Sequence, residues 1–197
     1  MNTTIEPQPP KESSSPKERT YIGQAPGRRP PPPEPKRPGP LEPKVFTRFL
    51  KPDAYLPSLV STEKQQILEE LISPFKQRWL EKECRGIHEL LMAREQVGTT
   101  ALGKGLAVPH ARTALVTTLS VVIGRSVEGV DYGAPDRKPV HIFFLVLGPN
   151  EDPSQQYLSF LSTIVKVFKA RAMKRRLLGA GSFEELVGML EDALAGE

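Results

Sequence analysis

Three histidines are the side chains in this sequence best suited to accept or pass on a chemical group near neutral pH: His88, His110 and His141. Imidazole can be neutral and nucleophilic around pH 7. His110 differs from the other two because it ends a glycine-punctuated segment, residues 98–110, with the sequence GTTALGKGLAVPH. Successive N–H groups in such a turn can neutralise a phosphoryl group. We therefore expect His110 to be the principal reactive residue, beside a site for an anion.

The same segment supplies the groups that an anion site needs. Thr99 and Thr100 carry hydroxyl donors, and Gly103 and Gly105 allow the backbone to approach a ligand closely. We expect these four residues to bind phosphate next to His110. A simpler interpretation, that His110 is an ordinary turn histidine between two strands, stays open from the pattern alone.

The segment is also close to a nucleotide-binding P-loop. Residues 98–104 match the pattern G-x-x-x-x-G-K, but Gly105 stands where Mg²⁺ would require a serine or threonine hydroxyl. A P-loop follows a strand and opens a helix, whereas this segment follows a predicted helix and continues into AVPH. The pattern therefore does not favour ATP or GTP binding.

The other two histidines carry weaker signals. His141 begins a predicted strand and shares a face with Phe143 and Leu145, by the two-residue alternation of strands. It is either a hydrogen-bonded histidine at the edge of the core or a ligand-binding residue, because strand ends collect ligands in open α/β sheets. His88 follows Cys84 by four residues, but no further ligand has suitable spacing for a metal. We expect an ordinary helical surface position there, and neither a metal nor a cofactor in the protein.

Two predicted helices precede the glycine-rich segment. Thr62 and Gln65 have the spacing of a capping box, which predicts the start of the first helix, and Pro74 ends or kinks it. A second helix is predicted over residues 83–95 and presents Arg94 at its carboxyl end. The apolar residues expected to face inward from the two helices are Ile67, Leu68, Leu71, Ile72, Ile87, Leu90 and Leu91.

Two strands are predicted after the segment, over residues 119–125 and 140–147, joined by a turn-rich connection at 128–136. The second is almost continuously apolar, which is typical of a central strand covered on both faces, so helices should lie on both sides of the sheet. A short extended piece is expected at 45–46. The remaining elements are predicted as a helix over 154–169, a short basic turn to 178, and a helix over 182–193 capped by Ser182 with Glu185.

The first 44 residues differ in composition from the rest. They hold 13 of the 21 prolines and almost no large apolar side chains, so they cannot bury enough surface to offset the entropy of ordering. We predict a disordered proline-rich tail over 1–44 and one folded domain over 45–197. The P-x-x-P spacings at 32–35 and 35–38 fit a docking ligand, but the composition favours a plain tether.

The net charge of +4 is concentrated in the tail, which has 8 Lys and Arg against 5 Asp and Glu. Subtracting these from the totals of 27 and 23 leaves 19 against 18, so residues 45–197 are nearly neutral. The basic run over 166–176 is typical of a solvated helix face. An adaptor that binds nucleic acid through this run is the alternative, and the scarcity of interleaved aromatic residues argues against it.

The cysteine content, the amino terminus and the apolar runs predict where in the cell the protein is located. Cys84 is the only cysteine and cannot form an internal disulfide, and the amino terminus lacks the charged start and apolar run of a signal peptide. The longest strongly apolar run, 140–147, is far shorter than the roughly 20 residues that span a bilayer. We expect a cytoplasmic protein with no direct membrane insertion.

Several ordered motifs together resemble a known family. They are Arg94-Glu95, GTT at 98–100, GKGLAVPHAR at 103–112, VEGVDYGAPD at 127–136 and PVH at 139–141. In this combination the chain, from about residue 45 to 195, resembles the mannitol/fructose-type EIIA domain of the bacterial phosphoenolpyruvate-dependent phosphotransferase system.

The resemblance implies a fold and a reaction. The fold is a three-layer α/β sandwich, with a mixed β-sheet flanked by helices on both faces. His110 would accept a phosphoryl group from the phosphohistidine of an HPr-like carrier and pass it to an EIIB cysteine. His141 matches the second active-site histidine of the sugar-transport members, and Arg94 matches the arginine that approaches the phosphate.

Two departures from the family pattern bear on the partners. The chain has no EIIB signature, so the resemblance implies an acceptor on a separate chain. Where many relatives carry a histidine before the helix that follows the second strand, this chain has Gln156-Tyr157. A non-catalytic regulatory module of the nitrogen-related type, whose His110 phosphorylation controls a partner protein, is the alternative to a sugar phosphocarrier.

Overall fold

A computed structural model of the protein describes residues 38–170 and 172–196. Most of the tail for which the sequence predicts disorder, residues 1–37, lies outside the described residues. The described chain before residue 45 already packs on the domain, because the Leu41 N–H donates to Thr163 Oγ1 at 2.7 Å.

The centre of the fold is a mixed sheet of six strands. These are β1 (Tyr55–Leu56), β2 (Ala101–Gly103), β3 (Leu106–Ala107), β4 (His110–Thr113), β5 (Ser120–Val130) and β6 (Val140–Pro149). The strand order is β1-β5-β6-β3-β2, with β4 also pairing with β6. Strands β3 and β4 run parallel to β6, and β5 runs antiparallel to it.

Strands β3 and β4 form one parallel run along a single edge of β6. Leu106 lies opposite Ile142 and His110 lies opposite Val146, so the two strands keep the same register across the gap between them. The gap falls at Pro109, which has no N–H to donate to a ladder. Its carbonyl still accepts from the Val146 N–H at 2.9 Å. This register fixes which end of β6 each residue of the glycine-rich segment occupies.

Six helices cover the sheet. They are α1 (Pro43–Thr47), α2 (Lys64–Ile72), α3 (Glu81–Val97), α4 (Gln156–Val167), α5 (Met173–Gly179) and α6 (Phe183–Ala195). Helices α2 and α3 pack on one face and the other four on the opposite face, so two separate apolar cores flank the sheet. The expected three-layer sandwich is confirmed. Among the described residues, no helix is both long and apolar enough to cross a bilayer.

Strand β6 shows why the sequence predicts two covered faces. Ile142, Phe144 and Val146 point into one core, while Phe143 and Leu145 point into the other. All five side chains are fully buried. A strand in this position has no solvent-facing side, which explains its continuous apolar sequence.

The predicted details of α2 and α3 were partly wrong. The apolar stripe of α2 is buried as expected, but the helix begins at Lys64 after Glu63 and no side chain caps it. The capping box at Thr62 does not form, because the helix starts one residue later than the box requires; the Glu70 carboxylate accepts from the N–H groups of Val60 and Ser61. In α3, Leu90 is 45% exposed rather than inward.

Three further elements differ from the prediction. The segment predicted as extended at 45–46 lies in α1, which Pro43 opens and which is anchored by stacking of Phe46 on Phe160 at 4.5 Å. Strand β5 continues to Val130, into the predicted turn. The predicted basic turn contains α5. The Ser182 cap is confirmed, since its hydroxyl accepts from the Glu185 N–H at 3.1 Å.

Candidate active site

His110 is the first residue of β4 and is half-buried, rather than carried by a loop. The side chain reaches back to the backbone two residues earlier, so that His110 Nδ1 lies 2.7 Å from the Val108 carbonyl oxygen. A carbonyl oxygen only accepts, so Nδ1 carries the proton and donates it. This hydrogen bond fixes the ring orientation and leaves Nε2 as the nitrogen with a free lone pair.

Arg94 approaches that free nitrogen from the last turn of α3. Its Nε donates to His110 Nε2 over 3.2 Å, and its Nη1 donates to the Gly98 carbonyl oxygen at 3.0 Å. A guanidinium has no acceptor, so this contact requires an unprotonated Nε2. The two hydrogen bonds together describe a neutral imidazole held between a carbonyl and a cation.

The surroundings keep the His110 ring neutral. Burial is the largest effect and lowers the pKa of His110 below its ordinary value of 6.5, and the positive charge of Arg94 lowers it further. The hydrogen bond to Val108 opposes this shift without cancelling it. A neutral imidazole is the nucleophilic form, so His110 is available for reaction at neutral pH.

His110 opens into a cleft of about 390 Å³ between β4 and α4. The Tyr157 ring lies edge-on to the imidazole with centroids 6.2 Å apart, and Arg112 lies over the tyrosine ring at 4.9 Å. A side chain at Gly148 would collide with the Tyr157 ring, so this glycine permits the close packing. Apolar side chains complete the cleft: Leu90, Ala111, Leu158 and Leu161.

Sequence reasoning missed two of these neighbours. Arg112 follows His110 by two residues on one strand, and the alternation of strands was a signal that both share a face. Tyr157 comes from α4, far along the chain, and the sequence marked it only as part of a departure from the family pattern, not as a neighbour of His110. Burial raises the pKa of Tyr157 to about 12, although Arg112 and Arg94 act in the opposite direction. The phenol therefore stays protonated at neutral pH.

The four residues predicted to bind phosphate are not gathered around His110. Thr100 is buried and donates to Glu95 from both its N–H and its hydroxyl, while Thr99 Oγ1 donates to the Tyr132 carbonyl oxygen at 3.4 Å. Gly103 and Gly105 flank the turn between β2 and β3. The structure places that turn at the beginning of β6, whereas His110 lies near the end of β6.

His141 is likewise separated from His110. Its backbone N–H donates to the Gly105 carbonyl oxygen at 2.8 Å, and its Nδ1 lies 3.0 Å from the Ser126 carbonyl oxygen. The strand partner of His110 is Val146, five residues further along β6. At about 3.3 Å per residue this is about 16 Å along the strand. The structure therefore brings together His110 and Arg94, but not His141.

Cys84 and His88 lie elsewhere, on α3. Both line a separate cavity of about 280 Å³, and His88 Nε2 lies 3.2 Å from the Gln65 carbonyl oxygen. Within residues 38–170 and 172–196, no three histidine, cysteine or acidic side chains cluster closely enough to hold a metal ion.

Glu95, beside Arg94, is a buried carboxylate that sequence reasoning left without a role. It accepts hydrogen bonds from Thr100 and forms an ion pair with Lys64 Nζ at 3.1 Å. Burial would raise the pKa of Glu95, but these donors outweigh burial and hold the pKa below its ordinary value. Glu95 thereby ties the end of α3, which carries Arg94, to the start of β2.

We expect Glu95→Gln to lower the free energy of unfolding by about 2 kcal/mol, because the Lys64 ammonium and the Thr100 donors lose a charged partner. Denaturant unfolding at pH 7 measures the change, with the exposed Glu89→Gln on the same helix as the matched control. Because the Glu95 pKa is lowered on folding, its contribution is complete above pH ~4.5 and is lost as the pH falls through the folded-state pKa. Equal free energies of unfolding for the two variants at pH 7 would contradict a stabilising role of Glu95 between α3 and β2.

The family model described as "Phosphoenolpyruvate-dependent sugar phosphotransferase system, EIIA 2" matches residues 48–193. The chain belongs to this family. It is 27% identical over 133 residues to the fructose-specific EIIABC component of the phosphotransferase system from Bacillus subtilis strain 168, covering 68% of this chain and 21% of that protein. The chain thus spans about a fifth of the length of that relative.

Two further relatives are nitrogen regulatory proteins. The one from Bradyrhizobium diazoefficiens is 28% identical over 145 residues, covering 74% of this chain and 94% of the relative. The crystal structure of nitrogen regulatory protein IIA-Ntr from Neisseria meningitidis matches with a TM-score of 0.67 and 29% identity, covering 74% of this chain and 99% of the other. Sugar-specific and regulatory members of the family are therefore both among its relatives.

Proposed function

We propose that this protein is a histidine phosphocarrier of the phosphotransferase system, with Nε2 of His110 as the atom that accepts the phosphoryl group. The observation that carries the proposal is the geometry of one ring. Nδ1 is held by the Val108 carbonyl at 2.7 Å, while Nε2 is unprotonated and its lone pair accepts from the Arg94 guanidinium at 3.2 Å. Family membership supports the same assignment.

Phosphoryl transfer to His110 requires only the donor's phosphohistidine and the neutral His110 ring. The lone pair of His110 Nε2 forms a bond to phosphorus as the bond from phosphorus to the donor's histidine nitrogen breaks, and the donor ring keeps that electron pair. The phosphorylated imidazole is cationic while Nδ1 retains its proton, and the Val108 carbonyl oxygen stabilises that N–H. In the onward step the acceptor's thiolate forms a bond to phosphorus as the bond to Nε2 breaks. The ring keeps that electron pair and leaves as neutral imidazole, so one arrangement serves both acceptance and donation.

Arg94 supplies the main electrostatic stabilisation in this proposal. Charge in phosphoryl transfer accumulates on the oxygens of the group in flight, so positioned cations lower the barrier. The Arg94 guanidinium already touches the nitrogen that attacks, and it must move from Nε2 onto a phosphoryl oxygen as the new bond forms. Arg112, across the Tyr157 ring, adds a second positive charge at the rim of the cleft.

The proposed donor is an HPr-like phosphocarrier, and the proposed acceptor is an EIIB domain on a separate chain. The name of the Bacillus subtilis relative records A, B and C parts of a fructose system in one protein, which supports a B-type acceptor for the A-type domain here. Exposed apolar side chains beside His110, Leu90 and Leu158, give a partner protein a surface to pack against.

A regulatory role is the second candidate, and one observation favours it. The sequence argument for onward transfer depends on His141 as a second imidazole in the site, and the register places His141 about 16 Å away along β6. The ring beside His110 is instead the protonated phenol of Tyr157. The similarity to nitrogen regulatory proteins agrees with a module whose phosphorylation state controls a partner.

A radiolabel transfer assay separates the two roles. The protein is first phosphorylated with phosphoenolpyruvate, enzyme I and HPr, then freed of the donors and incubated with a panel of EIIB domains. Movement of label to an EIIB cysteine is the result expected of a carrier. Stable label on His110 with every acceptor would favour the regulatory role, and no label at all would contradict both.

We expect Leu158→Glu to slow phosphorylation by HPr about tenfold, because it places a charge on the apolar rim of the His110 cleft. The effect should appear as a raised KM for the donor with little change in kcat. Val165→Glu is the matched control, since both residues lie on α4 with similar exposure, 45% and 43%, but only Leu158 lines the cleft. Equal KM values for the two variants would show that the donor does not dock on the apolar rim of the cleft.

A further inference from the structure

A second concave site lies at the other end of β6 from His110. It is a cavity of about 530 Å³ formed by the turn between β2 and β3, the turn before β6, the residues Phe168, Ala170 and Ala172, and the start of α5. Its charged lining residues are Lys104, Lys138, Lys174, Arg175 and Asp136. We refer to it as the basic cavity.

The four cations of the basic cavity have no acidic partners in the part of the chain that the structure describes. None of their side chains makes an ion pair there. Residues 45–197 as a whole carry an excess of a single positive charge, 19 against 18. An excess of three, four cations against one carboxylate, is therefore concentrated at one cavity of an almost neutral domain. Like charges around a concave surface raise its potential and attract anions.

Asp136 keeps its negative charge, which the excess of three already counts, and its carboxylate also helps to build the cavity. It accepts from the backbone N–H of Lys104 at 2.8 Å and from that of Lys138 at 3.3 Å. These two hydrogen bonds join the β2–β3 turn to the turn before β6. The single acidic residue therefore holds two of the lysine-bearing segments in place.

The Lys174 side chain packs against the turn between β2 and β3. Gly103, Lys104 and Gly105 all have left-handed backbone conformations, with φ of 76°, 54° and 79°. A side chain at Gly105 would collide with the stem of Lys174, so the glycine lets this stem lie flat on the turn. The ammonium of Lys174 is thereby brought to the same cavity as Lys104.

We propose that the basic cavity binds a small molecule that carries two or more phosphate groups. Its volume lies within the range of about 300–1,000 Å³ typical of small-molecule sites. Lysine ammonium groups are common phosphate ligands, and four cations match the charge of a polyphosphate. The charge is gathered at one concavity, which favours a small ligand over nucleic acid, since nucleic acid requires an extended basic stripe. This site is independent of the proposed phosphoryl transfer at His110.

Calorimetric titration of the full chain with metal-free pyrophosphate and with ATP, at about 150 mM salt, tests the proposal. We expect both probes to bind the wild type and adenosine not to bind. The paired change Lys138→Gln with Lys174→Gln should raise Kd at least tenfold. The matched control, Lys44→Gln with Lys82→Gln, removes the same charge from exposed positions outside the cavity and should leave Kd unchanged.

Several outcomes would overturn the assignment. They are no binding by the wild type, equal Kd for the paired variant and its control, or tighter binding of a single-stranded RNA that the paired variant abolishes. Thermal unfolding of each variant shows whether it is folded, and Gly105→Ala offers a second disruption that leaves every charge in place. His110→Ala should bind both probes as the wild type does, so loss of binding there would assign the ligand to the cleft instead.

Discussion

His110→Ala should accept no detectable phosphoryl group from phosphorylated HPr, while its unfolding curve stays close to that of the wild type. The reason for the first effect is chemical, since the other side chain of the cleft that could act as a nucleophile, Tyr157, has a phenol that stays protonated at neutral pH. The reason for the second is that the ring is half-buried at the start of a strand and its hydrogen bonds are to one carbonyl and one arginine. Mass spectrometry under alkaline conditions, which preserve phosphohistidine, measures the adduct.

His141→Ala is the matched control for that experiment. It removes the same side chain from the other end of β6, and the register predicts that acceptance proceeds at close to the wild-type rate. An adduct of unchanged size in His110→Ala would refute the assignment of the acceptor. A loss of acceptance in folded His141→Ala would show that the second imidazole takes part after all.

Arg94→Met should slow phosphoryl acceptance by about 10²–10³, the range typical for removal of one positioned electrostatic donor from a transition state. Methionine keeps most of the length and removes the charge. The same change should raise the pKa of His110, because the positive charge of the guanidinium is, after burial, the second effect that lowers it. The rate measured by quench flow and the pKa measured by NMR titration should therefore move together, and the acidic limb of the pH–rate profile should shift to higher pH.

Arg85→Met is the control on the same helix, because the one ion pair of Arg85 within the described chain is with the exposed Glu81. It should leave both the rate and the His110 pKa unchanged. If Arg94→Met matches Arg85→Met in rate, Arg94 has no part in the transfer. If the rate falls while the pKa stays fixed, the contact between Nε and Nε2 does not exist in solution.

The sequence was most informative where a single physical effect, burial of apolar side chains, decides the structure. The uniform apolar run of β6 predicted two covered faces, and the apolar stripe of α2 predicted the buried side of that helix, because burial alone decides both. Arg94 and His110 were both predicted as site residues, the first through the family motif and the second through its place at the end of a glycine-rich segment. The structure places them in contact.

The pattern was least informative where long-range register decides the position. Gly103, Gly105 and His110 are close in sequence, which suggested one anion site, but strands β3 and β4 run along β6 and carry them to opposite ends of it. Thr100 was expected to bind an anion, and the buried carboxylate of Glu95 takes its donors instead. Tyr157 reaches His110 only through the packing of α4 on the sheet. The local sequence does not predict the distance between the glycines and His110, the Thr100–Glu95 contact or the Tyr157–His110 contact, because all three depend on how the strands and helices pack together.

The central claim concerns one nitrogen atom, and its most direct test is NMR of the phosphorylated protein labelled with ¹⁵N at the histidine rings. Coupling of phosphorus to Nε2 of His110, with Nδ1 still protonated and hydrogen-bonded, is the result that this geometry predicts. Phosphorus attached to Nδ1 of His110, or to the ring of His88 or His141, would contradict it.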